Sequence, residues 1–440
     1  MRVSTRVVLL LLAAAVAVVV AGCGSESSRG GAADTAEATA EPEDGGAVKG
    51  VKIEAPTECG GPVVFNRADP DDVIGTLPED LQAGYTSYPY EVRASPWADF
   101  EGKDGPWTIG YVSFPMVNPF KVNYYDQLKK EFAAAKAAGV VEGKLRTYIQ
   151  PSFDTATPEQ QSAAINQMVR DGVDGIILHP LNAEAETPAI DAAGKKGVPV
   201  VLTGDAAPNA EYAVNTLTQN VSPATTALLQ KLVDEGWFAG EKRTVLDVQG
   251  VPGNTYSELL HDASLAAIKP CEGVDIVGTI SGQWDPATTK AEVLKFLAAN
   301  PGKIDFVLHE GAMAAGIIQA FEQAGRPVPP MPITGHTGGD LSWWEAHKDE
   351  YESVGVYTMG GRQVAYTTFR TLLRILDGKG LKILDIAPVG ELVTNDNISE
   401  LAVHGQPVTW LGDIKGPLDG WFSDAQMDEV FNEPGNPDGL

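Results

Sequence analysis

The sequence lacks the short motifs that mark most enzymes. Its 440 residues contain no Gly-x-Gly-x-x-Gly dinucleotide loop, no Walker loop and no Gly-x-Ser-x-Gly nucleophile elbow. The six histidines and three cysteines show no His-x-x-His, His-Glu-x-x-His or Cys-x-x-Cys spacing, so nothing indicates a metal or redox site. We therefore expect a protein that is not an enzyme and that needs no cofactor and no metal ion.

Basic residues are also scarce. The chain has 32 lysines and arginines against 59 acidic residues, a net charge of −27, and no stretch concentrates the basic ones. A nucleic-acid or polyanion-binding surface needs a basic patch, so such partners are not expected. The acidity is explained by the solubility of an exported protein.

The amino terminus has the features of an export signal. In residues 1–23, Arg2 and Arg6 precede an apolar run at 7–21 that is shorter than the roughly 20 residues of a spanning helix. The small-residue ending before Cys23 resembles a bacterial lipobox, which implies cleavage before Cys23 and a diacylglycerol on its sulfur. A plain secretory signal and an uncleaved anchor are the alternatives. The resemblance implies a lipid-anchored protein on the extracytoplasmic face of the cell membrane.

Residues 24–50 are rich in Gly, Ala, Glu, Ser and Thr, which predicts a disordered tether. Because Cys23 would carry lipid, Cys59 and Cys271 remain as an even pair in an oxidising compartment. They are a candidate disulfide, and two free thiols are the alternative.

From Trp107 onward, short apolar runs alternate regularly with amphipathic stretches. Several of the runs are apolar on both faces, which is typical of parallel strands covered by helices. The alternation forms two similar blocks, before and after about Asn220, and the folded part is too long for a single core. We expect an α/β protein with two doubly wound parallel-sheet lobes. Residues 51–106 lie outside the pattern and are expected to form an irregular arm packed on the lobes.

Several motifs resemble those of the periplasmic-binding-protein-like type I family, the ribose/galactose-type receptors of ABC importers. In chain order the matching segments are 109–120 with Asn118-Pro119-Phe120, 171–180 with Gly-Val-Asp-Gly-Ile-Ile, 197–201 with Gly-Val-Pro-Val-Val, 246–254 with Gly250-Val-Pro-Gly253, and 393–397. The resemblance implies a three-crossing hinge near Asn215, Thr358 and Ala387. It assigns residues 107–215 and 359–387 to an N-terminal lobe and residues 216–358 and 388–440 to a C-terminal lobe. It also implies a monomer.

The resemblance further implies which residues bind the ligand in the cleft between the lobes. Matching positions are Asn118, Phe120 and Asp205 in the first lobe and Glu258, Trp284, Glu310 and His336 in the second. Purely structural roles are the alternatives for several of them. Asn118 fits turn chemistry, Trp284 fits interior packing, and the carboxylates Asp205 and Glu310 fit helix caps. Aromatic residues such as Phe114 are expected to pack inside a lobe.

Two departures from the family's pattern bear on the ligand. The sequence has Gly204-Asp205-Ala206 where the family has an Asp-Arg pair, and Ser257 or Glu258 replaces a further arginine. A site with fewer arginines favours a polyol, an amino sugar or another cationic ligand over a pentose. The expected function is capture of a small polar ligand, a sugar or polyol, and its delivery to an ABC permease. A sensor that presents the closed form to a signalling receptor is the alternative.

Overall fold

The computed structural model describes residues 53–59, 64–65, 68–85, 88, 90–216, 233, 236, 242–331, 333–334, 337–351, 353, 355–356, 360–388 and 392–440. Residues 48–440 form one compact unit. The predicted leader with Cys23, the predicted tether and the candidate site residue His336 lie outside the described residues. In the part of the chain that the structure describes, no helix has the length and apolar character needed to cross a membrane.

The first elements belong to residues 53–106, which we call the N-terminal strap. They are an antiparallel pair, β1 (Ile53–Glu54) and β2 (Val64–Phe65), and the short helix α1 (Glu79–Gln82) between two single 3-10 turns. The sequence predicts an irregular arm here, and these elements are short.

The first sheet has five strands, all parallel. They are β3 (Ile109–Ser113), β4 (Arg146–Ile149), β5 (Gly175–His179), β6 (Val200–Leu202) and β7 (Ala213–Asn215), in the spatial order β4-β3-β5-β6-β7. Every residue of β3 and β5 is buried, as expected for strands covered on both faces. The covering helices are α2 (Pro119–Ala137), α3 (Pro158–Arg170) and α4 (Ala183–Gly194).

Among the described residues the second sheet has six strands. They are β8 (Arg243–Gln249), β9 (Val274–Ser281), β10 (Phe306–His309), β11 (Ile333–Thr334), β12 (Gly355–Val356) and β13 (Leu392–Val393), in the order β13-β12-β11-β10-β8-β9. Only β13 is antiparallel to its neighbour. Its helices are α5 (Thr255–Ile268), α6 (Pro286–Ala299), α7 (Ala314–Gln323) and α8 (Gly338–His347).

Both sheets have a topological switch point. In the first sheet the crossovers that follow β3 and β5 leave to opposite sides, and in the second sheet those that follow β8 and β10 do so. In open α/β sheets, ligands bind at the carboxyl ends of strands at such a point. The topology therefore directs attention to the loops after these four strands.

The chain returns to the first lobe after the second sheet. Helix α9 (Gly361–Leu376) packs against α2, β5 and β6, and its apolar face is part of the first core. Asn215 pairs with Asp385 through a parallel β-bridge, and their side chains are hydrogen-bonded, so two of the predicted crossings lie side by side. The third, near Thr358, lies outside the described residues.

The C-terminal segment corrects one expectation. The family resemblance assigns all of residues 388–440 to the second lobe. Val393, Ile398 (at the start of helix α10, Ile398–Leu401) and Ile414 do pack in the second core. Trp421 and Phe431, which flank α11 (Asp424–Glu429), pack in the first core instead.

Two kinds of contact hold this last segment on the first lobe. Leu381 and Phe431 form an antiparallel β-bridge. The buried guanidinium of Arg374 in α9 pairs with Asp428 at 2.6 Å and with Asp424 at 3.4 Å. A charge buried in α9 needs these carboxylates, so the segment lies against α9.

The N-terminal strap joins the two lobes a further time. Cys59 forms a disulfide with Cys271, which is buried in the second lobe beside α5. Later in the strap, Tyr88 and Trp97 are buried in the core of the first lobe. Arg93 of the strap also forms a salt bridge of 3.5 Å with Asp385 at the crossing.

Candidate ligand-binding cleft

The two lobes are closed on each other at the carboxyl ends of their strands. Three side-chain amides bridge the lobes directly: Asn118 donates to the carbonyl oxygen of Trp284 at 3.0 Å, Asn182 to that of Gly253, and Asn254 to that of Leu181 at 3.1 Å. The loops after β3 and β5 of the first lobe therefore meet the loops after β8 and β9 of the second.

Asn118 has both a structural and an interdomain role. Its Oδ1 accepts a hydrogen bond from the backbone N–H of Lys121 and thus caps α2, while Pro119 occupies the first turn. Its Nδ2 makes the bond to Trp284 across the cleft. The helix-cap role and the cleft position thus both hold for this residue. Phe120, half-buried, has its ring 6.2 Å from the ring of His179.

Asp205 is buried at the boundary between the lobes. Its carboxylate accepts hydrogen bonds from the backbone N–H of Ala206 at 2.8 Å and of Ala183 at 3.3 Å, both in its own lobe. Asn254 of the second lobe donates to it at 3.2 Å. Burial raises the pKa of Asp205 to about 8, although these N–H donors act in the opposite direction. The carboxyl group therefore holds a proton over much of the neutral range.

Trp284 projects from the second lobe and is buried. It and Gln283 have φ values of 51° and 54°, two successive non-glycine residues in the left-handed region. This strained turn is the kind that occurs at functional sites. The indole N–H donates to the carbonyl oxygen of Glu310 at 3.1 Å, and the ring lies 6.4 Å from that of Phe114 in the first lobe.

Glu310 follows β10 and is buried. Its Oε2 accepts hydrogen bonds from the backbone N–H of Gly250 at 2.8 Å and from the hydroxyl of Ser257. Its Oε1 has no hydrogen-bond partner among the described residues. Burial raises the pKa of Glu310 to about 8. An oxygen of this kind is able to exchange a hydrogen bond with a hydroxyl group of a ligand.

Glu258 does not join the other candidates. It is exposed on α5, and the buried hydroxyl of its neighbour Ser257 bonds Glu310 instead. Successive helix residues point about 100° apart, so only one of the two faces the cleft. Of the two residues that replace the family's arginine, Ser257 is the one at the site.

The residues near His336 have structural roles. Asp340 is buried and accepts hydrogen bonds from the backbone N–H of Thr337 at 2.9 and 3.0 Å, which caps α8. His309 is buried, and burial lowers its pKa to about 3. No group of three potential metal ligands occurs among the residues described.

Besides Asn182, three further first-lobe residues at the cleft were not among the candidates. They are Phe114, whose ring faces Trp284, and the buried residues Lys121 and His179. The Lys121 ammonium lies 3.9 Å from the centre of the Phe114 ring. The centre of the His179 ring lies 5.8 Å from the centre of the same Phe114 ring. The position of Phe114 directly after β3 could have predicted its place at the cleft, because the loop after β3 lies at the topological switch point of the first sheet.

The arrangement suits noncovalent recognition. Aromatic faces from both lobes flank buried amide, hydroxyl and carboxyl groups, the combination that binds C–H faces and hydroxyl groups of a small polar molecule. Two α/β lobes that close on such a cleft define a small-molecule binding protein.

The comparisons with known proteins agree with this class. A family model described as "Periplasmic binding protein domain" matches residues 110–380, more than half of the chain. The chain therefore belongs to the periplasmic binding proteins, and it has their type I fold. The members are extracytoplasmic solute-binding proteins and not enzymes, which confirms the expectation that this protein is not an enzyme.

Individual relatives are distant. The ribose import binding protein RbsB of Bacillus subtilis (strain 168) is 22% identical over 240 residues, which are 53% of this chain and 72% of that protein. An ABC transporter solute binding protein from Thermobispora bispora DSM 43833 superposes with a TM-score of 0.58 at 23% identity, over 67% of this chain and 87% of that one. One from Bacillus halodurans C-125 with bound myo-inositol has a TM-score of 0.56 at 18% identity, over 68% of this chain and 98% of that one. These likenesses confirm the predicted fold.

Proposed function

We propose that this protein captures a small sugar or polyol between its lobes and delivers it to an ABC permease. The observation that carries the proposal is the cleft itself, where Asn118, Asp205 and Phe114 of one lobe meet Asn254, Trp284 and Glu310 of the other. A ligand that touches both lobes only in the closed form shifts the population toward that form. The relatives named for ribose and for bound myo-inositol support a polyhydroxylated ligand.

We further propose that Cys23 carries a lipid that holds the protein on the extracytoplasmic membrane surface, as a monomer. The Gly22-Cys23 ending of the apolar run and the polar segment after it support this anchor. Replacement of Cys23 by Ala should release the protein from the membrane fraction of the producing cell. If C23A stays in the membrane fraction, the anchor is wrong.

The ligand is found by a thermal-shift screen of the full-length protein in mild detergent against sugars, polyols, amino sugars and amino acids. A ligand that binds only the folded protein raises the midpoint temperature by mass action. Hits among sugars or polyols, confirmed by calorimetry, support the proposal. Binding of only amino acids, or of no small molecule, would reject it. Loss of uptake of the hit compound in a deletion strain would separate import from sensing.

A further inference from the structure

Lys121 is a buried cation at the cleft. Its side chain is 1% exposed, and its Nζ donates to the hydroxyl of Ser113 at 2.6 Å. No ion pair joins it to a carboxylate of the described residues. A buried charge is normally paired, because removing an ammonium group from water is costly. Burial accordingly lowers the pKa of Lys121 well below its usual value.

The Nζ of Lys121 lies on the side of the first lobe that faces the second. Ser113 is the last residue of β3, so its hydroxyl marks the carboxyl end of that strand. The Phe114 ring, which the Nζ contacts at 3.9 Å, lies 6.4 Å from the ring of Trp284 in the second lobe. The Phe114 ring thus contacts Lys121 on its own lobe and lies near Trp284 of the second lobe.

A second polar group lies beside Lys121. The buried ring of His179 receives or donates one hydrogen bond, between Nδ1 and the hydroxyl of Tyr111 at 3.2 Å. Its Nε2 has no hydrogen-bond partner among the described residues. Burial and the nearby Lys121 both lower the pKa of His179, so the ring is neutral and its Nε2 is able to donate when Nδ1 accepts from Tyr111. The Lys121 ammonium and the His179 Nε2–H are thus two neighbouring hydrogen-bond donors, and neither has an acidic partner among the described residues.

We propose that the cleft binds a sugar or polyol that carries a carboxylate, and that Lys121 pairs with that carboxylate. The inference rests on the proposed function and names its ligand class. A carboxylate offsets the cost of the buried ammonium through a charge-assisted hydrogen bond, which a neutral hydroxyl does not match. On the opposite side, Oε1 of Glu310 is left for a hydroxyl group of the same ligand. This assignment differs from the cationic ligand that the loss of arginines favours.

The net charge of −27 does not oppose the proposal. Surface acids farther than the Debye length, about 8 Å at physiological salt, are largely screened from the ligand. A pair formed in the closed cleft is screened far less. We therefore expect the nearby Lys121 ammonium, and not the net charge, to determine whether an acidic or a neutral ligand binds more tightly.

The test compares matched neutral and acidic ligands by calorimetry on the full-length protein in mild detergent. The pairs are galactose with galacturonate, glucose with glucuronate, and sorbitol with gluconate. We expect an acid to bind at least tenfold more tightly than its neutral partner. In Lys121→Met the ratio of acid affinity to neutral affinity should fall to about one.

Two controls keep the result interpretable. Lys129→Met removes the same charge from the same helix, where Lys129 lies 4.7 Å from the centre of the Tyr125 ring but is exposed and paired with Asp126. It should keep the acid preference. The melting midpoint of ligand-free Lys121→Met should be no lower than that of the wild type, because an apolar side chain replaces a buried cation.

The outcomes separate the two proposals. Neutral members that bind as tightly as acids, or an acid preference that survives in Lys121→Met, would overturn the role of Lys121 and leave the sugar-binding function standing. Failure of every acid and every neutral sugar or polyol to bind would overturn both.

Discussion

Asp205 and Asn254 belong to different lobes, and the side-chain amide of Asn254 donates to the carboxylate of Asp205 at 3.2 Å. The bond exists only while the lobes are closed. Asp205 is 1% exposed in this closed arrangement, and burial raises the pKa of its carboxyl group to about 8.

The first prediction concerns pH. Because the folded pKa of Asp205 is raised to about 8, the folded state holds a proton that the unfolded state has lost above its ordinary pKa of about 4. The free energy of unfolding should therefore fall as pH rises between these values, by up to about 1.4 kcal/mol per pH unit. Asp205→Asn should make this dependence less steep in urea titrations at pH 5, 6, 7 and 8, while the contribution of Glu310, whose pKa is also raised to about 8, remains. Asp126→Asn, which changes an exposed acid, should not, and equal slopes in both variants would contradict the prediction.

The second prediction uses a glycine that has no room for a side chain. A Cβ atom on Gly250 would lie 2.5 Å from the Trp284 ring and 2.7 Å from Oε2 of Glu310. Gly250→Ala should displace both side chains and weaken ligand binding more than tenfold by calorimetry. Gly302→Ala is the control, because a Cβ there meets no atom within 4 Å. Wild-type affinity in Gly250→Ala would show that neither side chain contacts the ligand.

The third prediction concerns Trp284 itself. Trp284→Ala removes a large apolar surface from the closed cleft, and we expect a loss of about 1–3 kcal/mol in binding free energy. Trp343→Ala is the matched control, because Trp343 packs against His347 and Tyr351 elsewhere in the second lobe. Calorimetry on both variants is the measurement. Equal effects of the two substitutions would remove Trp284 from the site.

The fourth prediction concerns the bond between Cys59 and Cys271. Their sequence separation is 212 residues, so the disulfide restricts a long loop of the unfolded chain. On the chain-entropy model its loss costs about 5 kcal/mol, and typical measured losses are about 2–5 kcal/mol. Cys59→Ser and Cys271→Ser should both destabilise the protein in urea, and Cys271→Ser by at least as much, because Cys271 is buried. Stability equal to that of wild type in either variant would refute a stabilising bond.

Much of the fold could be predicted from the sequence. Strands such as Gly175–His179 are apolar up to their last residue, and the Asn118-Pro119 pair is a helix start with a defined mechanism, so both could be predicted from local sequence. Helix α8 was not expected, because its Trp343-Trp344 pair gives no clear amphipathic period. The return of Trp421 and Phe431 to the first lobe depends on contacts more than 40 residues apart, which no local pattern encodes.

The site was less accessible to sequence reasoning. Asp205, Trp284 and Glu310 follow strands that end at the cleft, and that position could be predicted from topology. The choice between Ser257 and Glu258 depends on the rotation of α5, which the sequence leaves open. Lys121 gave no signal at all, because a lysine within a helix is ordinarily on the solvated face, and only the packing shows that its charge is buried.

Glu54 and Leu440, near the two limits of the described residues, lie on different lobes. Glu54 lies in β1, which contacts α5 of the second lobe, whereas Leu440 packs against the first core beside Ala138 at the end of α2. Opening and closing of the hinge therefore changes the separation of these two residues. Energy transfer between a donor dye at position 54 and an acceptor dye at position 440 would therefore report opening and closing of the lobes, with both dyes outside the cleft.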